Sequence, residues 1–262
     1  MRIAIRHQMT FAFDPEPLRI SGHLLVTPRS FESQRVHSWN VAVEGAQVGA
    51  RFRDAYGNAA LLVGNSTPGD RLGITVEGLV ETIDSSGVVG RLEGDPVPAL
   101  FRRVTPLTRA NVTLFSKFRG TPTRGPELID TLHGLMLRIG ENMRFGKEDE
   151  RDDDERDEAT AADFAHAFIG GARALGIPAR YVTGYVAEDG DLSATHAWAE
   201  AFDENLGWIG FDAALGRCPT DAYVRVAVGL DATSAIAVRC VPAIGAENLA
   251  AEEVAALAES AQ

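Results

Sequence analysis

The chain is 262 residues long, 45% hydrophobic and 24% charged, with a formal net charge of -12. Those proportions belong to a soluble globular protein with enough length to bury one large core or two modest ones. The charge argues against nucleic acid or an anionic membrane as partner, since both require a cationic face. Two cysteines, Cys218 and Cys240, are too few for a disulfide framework, which points to a reducing, cytoplasmic compartment.

At the N-terminus Ile3, Ile5, His7, Met9, Phe11 and Phe13 occupy one face of a period-2 pattern, interleaved with Arg2, Arg6, Gln8 and Thr10. That pattern suits a strand and not a signal peptide. No apolar run approaches the roughly 20 residues needed to span a bilayer. Residues 18–27, 35–43, 50–56, 59–63 and 72–83 are further candidate strands. Turn signals separate them: Asp14-Pro15, Thr27-Pro28, Tyr56-Gly57-Asn58 and Thr67-Pro68-Gly69-Asp70. Repeated strand and turn without helix predicts a β-rich, sandwich-like domain over residues 1–107. His7, His23 and His37 are far apart in sequence and form no ligand pattern, so no metal is expected there.

The character changes at Thr108. Residues 110–118 are a short helical candidate. Residues 126–143 are a longer one, with Leu128, Ile129, Leu132, Leu135, Met136 and Ile139 in an apolar stripe. The run 147–158 holds nine acidic and three basic residues and reads as a solvated loop. A dense acidic run there would help cap the following helix and would raise the pKa of a nearby thiol. Phe164, Phe168, Ala172 and Leu175 then repeat at helical spacing, Gly176 is placed to cap the C-terminus, and Pro178 prevents continuation. A strand over 180–185 follows, then one carrying His196 and one ending at Asp212. Residues 222–228 and 236–241 are expected to close this sheet. Residues 246–261, rich in alanine and acid, have a helix-forming composition and predict a surface helix or frayed tail.

A helix N-terminus, a histidine on a strand and an aspartate on the next strand are the parts of a Cys-His-Asp site. The helix end lowers a thiol pKa, the imidazole takes the proton, and the carboxylate fixes the imidazole tautomer. The residues that carry this reading are Ala159-Thr160-Ala161-Ala162-Asp163-Phe164-Ala165-His166, then residues 174–185 (ALGIPARYVTGY), then His196-Ala197-Trp198, then residues 207–216 (GWIGFDAALG). In that order and spacing they resemble the motifs of the bacterial transglutaminase-like, cysteine-peptidase-like proteins, over most of the chain. The Asp54-Ala55-Tyr56-Gly57-Asn58 turn resembles the N-terminal region that accompanies that family. The resemblance implies an α+β fold: the β-rich N-terminal domain, then a papain-like transglutaminase core over residues 108–262. It also implies a chemistry of thiol attack on an amide, with His196 as general base and Asp212 as its orienting partner.

One departure weighs against activity: the family's nucleophilic cysteine falls on Ala161, and a methyl group cannot attack a carbonyl. Thr160 is adjacent, but a hydroxyl needs stronger activation than a thiol, and it is better placed as the helix N-cap. Asp163, in the first turn, reads as a helix-end stabiliser. His166 sits roughly 140° around the helix from Ala161 and is expected to be buried. With Thr160 and Asp163, Trp198 and Trp208 are the candidate cleft-lining residues, a core role being the default for the two tryptophans. Cys218 reads as structural or incidental, and no ligand pair among His166, His196 and Asp212 has zinc-like spacing. No cofactor and no metal are expected. Either the chain lost its cysteine naturally or an active cysteine was replaced by alanine. The usual Gly-Val and Gln around the cysteine are also altered here, to Ala159-Thr160 and Ala162, which favours natural loss. The expectation is a catalytically silent protein that binds peptide-like or protein amide-containing ligands in the cleft. The alternative is an active thiol peptidase, amidase or acyltransferase seen without its cysteine. The sequence gives no reading of oligomeric state.

Overall fold

The computed structural model describes residues 1–144 and 159–258, apart from 68, 124, 189, 190, 193 and 194. The acidic run 147–158 lies outside the described residues. Seven strands come first: β1 (Arg2–Ala12), β2 (Ile20–Thr27), β3 (Gln34–Glu44), β4 (Gln47–Arg53), β5 (Ala59–Asn65), β6 (Arg71–Thr82) and β7 (Val88–Gly90). Three helices follow, α1 (Val112–Phe115), α2 (Pro126–Asn142) and α3 (Ala161–Ala174). The chain then forms β8 (Ala179–Glu188), β9 (Asp191–Leu192), β10 (His196–Asp203), β11 (Gly207–Phe211), β12 (Tyr223–Gly229), β13 (Val238–Val241) and β14 (Leu249–Ala258).

Two four-stranded antiparallel sheets, in the orders β14-β1-β6-β3 and β13-β2-β5-β4, face one another as a sandwich. The period-2 face of β1 supplies Met9 and Phe11 to a core shared with Leu24, Val26, Leu61, Val63, Leu72 and Val76. Alternation along each strand is what makes one face apolar, so the pattern that predicts the strands also predicts the core.

The C-terminal strands depart from the sequence reading. Residues 249–258 are a strand, not a helix, and pair with β1 from Ile3↔Ala258 to Phe11↔Leu249. Alanine and glutamate favour a helix in isolation, but β1 offers an unpaired edge along its whole length, and pairing with it overrides weak local propensity. His7, buried in β1, fixes the register: its Nε2 lies 2.7 Å from Glu252 Oε1, and its Nδ1 3.0 Å from the Tyr185 hydroxyl. Likewise β13 does not close the sheet that holds β8; it pairs with β2 in the sandwich, Val238↔Leu24 to Val241↔Ser21. Conversely β7, from before residue 107, pairs with β11. The two halves of the chain therefore exchange strands.

The third sheet has the order β12-β8-β10-β11-β7, with β9 on β8. Helices α2 and α3 cover one face of it. Phe164, Phe168, Ile169 and Ala172 of α3 pack against Leu132, Leu135 and Ile139 of α2 and against Ala199, Ala201, Ile209 and Phe211 of the sheet. Removing a ring as buried as Phe168 would cost roughly 3–5 kcal/mol. The helices approach closely because α3 carries glycine at the contact: a Cβ on Gly171 would lie 3.0 Å from Leu135 Cδ1. Beyond its C-terminus Gly176 has φ +84°, the left-handed conformation that ends a helix, and Pro178 follows. Another cluster, with Ile3, Ile5, Leu25, Val80, Tyr185, Val224 and Val226, joins the sandwich to the third sheet. Among the described residues no helix is long and apolar enough to cross a membrane.

Candidate functional site

The start of α3 is fixed by a reciprocal cap. Thr160 has extended backbone and is the N-cap. Its Oγ1 accepts from the Asp163 N–H at 3.2 Å, while Asp163 Oδ2 accepts from the Thr160 N–H at 2.9 Å and from its hydroxyl at 2.7 Å. Two backbone donors with no partner inside the helix are thereby satisfied. Asp163 is exposed and Thr160 half-buried, and both are engaged in this cap. Ala161, the first helical residue, is half-buried against the core that α3 shares with the sheet.

His196 opens β10 and Asp212 follows directly on β11, an adjacent antiparallel strand with Ala199 opposite Phe211. His196 Nε2 lies 2.6 Å from Asp212 Oδ2, with both side chains buried. The Tyr223 hydroxyl donates to the same oxygen at 2.8 Å, and the N–H groups of Ala214 and Leu215 donate to Oδ1 at 3.1 Å each. An ionised carboxylate has acceptor sites for four donors, and here it has four. Tyr223 is held as a neutral phenol: burial pushes its pKa well up and the Asp212 charge adds to this, against an opposing hydrogen bond from Arg217. With Nε2–H donating to Asp212, the lone pair of His196 is on Nδ1. Among the described residues no hydrogen-bond partner occupies that nitrogen.

Element lengths bring the start of α3 level with this imidazole. Helix α3 turns back into β8 through four residues, and β8 pairs antiparallel with β10, His196 opposite Gly184. From that turn, Ala161 is about 20 Å back along the helix at 1.5 Å per residue. Gly184, and so His196, is about 17 Å along β8 at 3.3 Å per residue. Both sit at the same end of the layer. Alternation along β10 turns Ala197, Ala199 and Ala201 into the helix-side core, and Trp198 into the other face with Tyr223. By the same alternation His196 shares the Trp198 face, so the imidazole and α3 lie on opposite faces of β10 at the same end of the layer.

Trp198 is buried beside the pair, its ring stacked 6.3 Å from His196 and set edge-on to Tyr223 at 5.4 Å. It lines a cavity of about 40 Å³, with Gln34, Glu200, Pro219, Tyr223 and Arg225, which has room for a few waters. Trp208 is not in this group; it packs with Phe101 and Leu230, and the Arg180 guanidinium lies 3.8 Å over its ring. His166 is buried on the helix side, stacked 5.0 Å from Tyr181, and its Nε2 accepts the Ala232 N–H at 3.1 Å.

Below the cavity lies an ion network that sequence reasoning did not find. Glu200 accepts from Arg180 Nε at 2.6 Å and from Arg225 Nε at 2.7 Å, while Arg180 Nη1 reaches Asp95 at 2.7 Å. Burial alone would push the Glu200 carboxyl up, but Arg180 and then Arg225 bring it net below its ordinary value. The available signal was Glu200 itself, an acid set between two alanines two residues past Trp198, which calls for a partner if the strand is buried. Tyr223 gave no comparable signal, because nothing local links a strand tyrosine to a carboxylate eleven residues earlier.

Two packed β layers, a helix capped at its start, and a histidine–aspartate pair at the same end of the sheet define a papain-like α+β core with a β-rich N-terminal partner. Residues 135–213 match the transglutaminase-like superfamily core, and residues 3–81 match the bacterial transglutaminase-like N-terminal region. The chain belongs to the transglutaminase-like superfamily. Its fold is similar to that of a protein described as a "Putative Cysteine Protease" from Cytophaga hutchinsonii, with a TM-score of 0.71 at 22% identity over 100% of this chain and 92% of that one. Among curated proteins, an uncharacterized protein of Mycobacterium tuberculosis (strain H37Rv) is 24% identical over 263 residues, covering 88% of this chain and 84% of its own. An uncharacterized protein of Mycobacterium leprae is 36% identical over 78 residues, 27% of each chain.

Proposed function

We propose that this chain is a catalytically silent member of its superfamily that binds peptide-like, amide-containing ligands, free or within a protein partner, at the former acyl-transfer site. The observation that carries this reading is Ala161, a methyl group at the capped start of α3, level with a complete His196–Asp212–Tyr223 arrangement. A thiol there would have the helix end to lower its pKa and Nδ1 of His196 to take its proton. Without the thiol, the imidazole has no nucleophile to activate. Binding at such a site draws on the remaining groups: Nδ1 as a hydrogen-bond acceptor for an amide N–H, and helix-start N–H groups for a carbonyl.

The test pairs turnover with binding, using the unaltered protein. Labelled casein is offered for hydrolysis, and casein with a primary amine for acyl transfer; neither reaction should exceed the buffer rate. Casein-derived peptides should bind saturably, indifferent to iodoacetamide, and more weakly to Ala161→Trp, which fills the helix start. Turnover that vanishes in His196→Ala would overturn the proposal.

The second reading, an active peptidase, amidase or acyltransferase whose cysteine has been replaced by alanine, is favoured by the full set of donors still held on Asp212. It predicts that Ala161→Cys alone restores casein turnover.

A further inference from the structure

The helix side of β11 holds a sulfur–imidazole pair. Cys218 Sγ lies 3.5 Å from His133 Nε2, on α2. His133 Nδ1 is 2.9 Å from the carbonyl of Ile129. A carbonyl can only accept, so Nδ1 carries the hydrogen and the Nε2 lone pair faces the thiol. The edge of the ring rests on Phe211, centroid to centroid 5.3 Å. Phe211 belongs to the helix-side core while Asp212, the next residue, pairs with His196. The two imidazoles thus flank the end of β11 from opposite faces, and this pair is separate from the site above.

Two features distinguish it from a thiol that is only packed. The base is within reach and is itself oriented by a third group, the arrangement that activates a cysteine. Both residues are half-buried, so a small reagent can arrive. Cys240 is the contrast. It is buried in the sandwich, among the described residues no imidazole bonds to it, and burial pushes its thiol up to about 11.

We propose that Cys218 is a modification site that forms mixed disulfides with small-molecule disulfides, His133 taking the thiol proton. Burial also pushes the Cys218 thiol up, so the resting species is the S–H hydrogen-bonded to a neutral ring. In the reaction Sγ attacks one sulfur of the reagent, and its proton passes to His133 Nε2. A new S–S bond forms as the reagent's breaks, and the other half leaves as a thiolate, which takes the proton back through water. Protein thiol plus disulfide gives mixed disulfide plus small thiol.

The experiment treats the native full chain with 2,2′-dithiodipyridine at pH 7 and follows each cysteine by peptide mass mapping. Cys218 should react at least about tenfold faster than Cys240. His133→Phe, or His133→Gln if the first fails to fold, should slow Cys218 about tenfold and leave Cys240 unchanged. Equal rates at the two cysteines in the native chain, or a Cys218 rate unmoved by a folded His133 variant, would overturn the proposal.

Discussion

His196 Nε2 and Asp212 Oδ2 lie 2.6 Å apart at the ends of two adjacent strands, and the carboxylate they share is completed by Tyr223 and two backbone N–H groups. A buried carboxylate with this many donors is a structural element as well as a chemical one. Asp212→Ala would strand the Tyr223 hydroxyl and the N–H groups of Ala214 and Leu215. Breaking such a buried arrangement costs roughly 3–5 kcal/mol. Urea unfolding should show a loss of that order; a loss below about 1 kcal/mol would mean that the turn after Asp212 finds other partners.

The Glu200 network makes a similar prediction further along the same face of β10. Removing the carboxylate in Glu200→Ala leaves Arg180 and Arg225 buried, Arg180 with Asp95 as its remaining anion. Uncompensated buried charge is destabilising by roughly 3–5 kcal/mol. Arg180→Met with Glu200→Ala and Arg225→Leu together should cost less than Glu200→Ala alone. Thermal unfolding of the unaltered chain, Glu200→Ala and the triple variant checks the order.

His166 sets an acid limit. Burial, with a smaller effect from Arg173, lowers its pKa, against Asp231 and Asp163, which raise it. The unfolded chain therefore binds a proton near pH 6.5 that the folded chain refuses. The stability contributed by neutral His166 is fully present above that pH and is lost as pH falls toward its folded pKa. Protonation also removes the lone pair that accepts the Ala232 N–H. The imidazole resonance in NMR should titrate below 6.5, and His166→Phe should flatten the stability profile between pH 7 and 5. A midpoint at or above 6.5 would contradict this.

Strand β14 is predicted to be integral. Ending the chain at residue 245 exposes the whole edge of β1 and leaves His7 without Glu252. The unfolding temperature should fall by roughly 10 °C, and the open edge should promote association. An unchanged unfolding temperature would fit a peripheral tail instead.

That strand also shows where the sequence stops being legible. Alternation in β1 and the apolar stripe of α2 are local patterns, and both elements lie where the pattern puts them. The cap at Thr160 and Asp163 is equally local. The helical composition of 249–258 misleads because its partner is some 250 residues away, and no local rule registers an open edge. Tyr223, Arg180 and His133 acquire their partners only through the sheet and the α2 packing, so their roles could not be read along the chain. His196 and Asp212 were found because a motif, not periodicity, pointed to them.

The central claim is that the start of α3 and the Nδ1 side of His196 form one site from which only the thiol is missing. Its most direct test is Ala161→Cys in a Cys218→Ser background, alkylated with iodoacetamide at pH 7 and mapped by mass spectrometry. Free cysteine, with its pKa near 8.5, is only a few per cent thiolate there. The account predicts that the introduced thiol reacts about tenfold faster than free cysteine and loses that advantage in His196→Ala. A thiol no faster than free cysteine, and indifferent to the loss of His196, would contradict it.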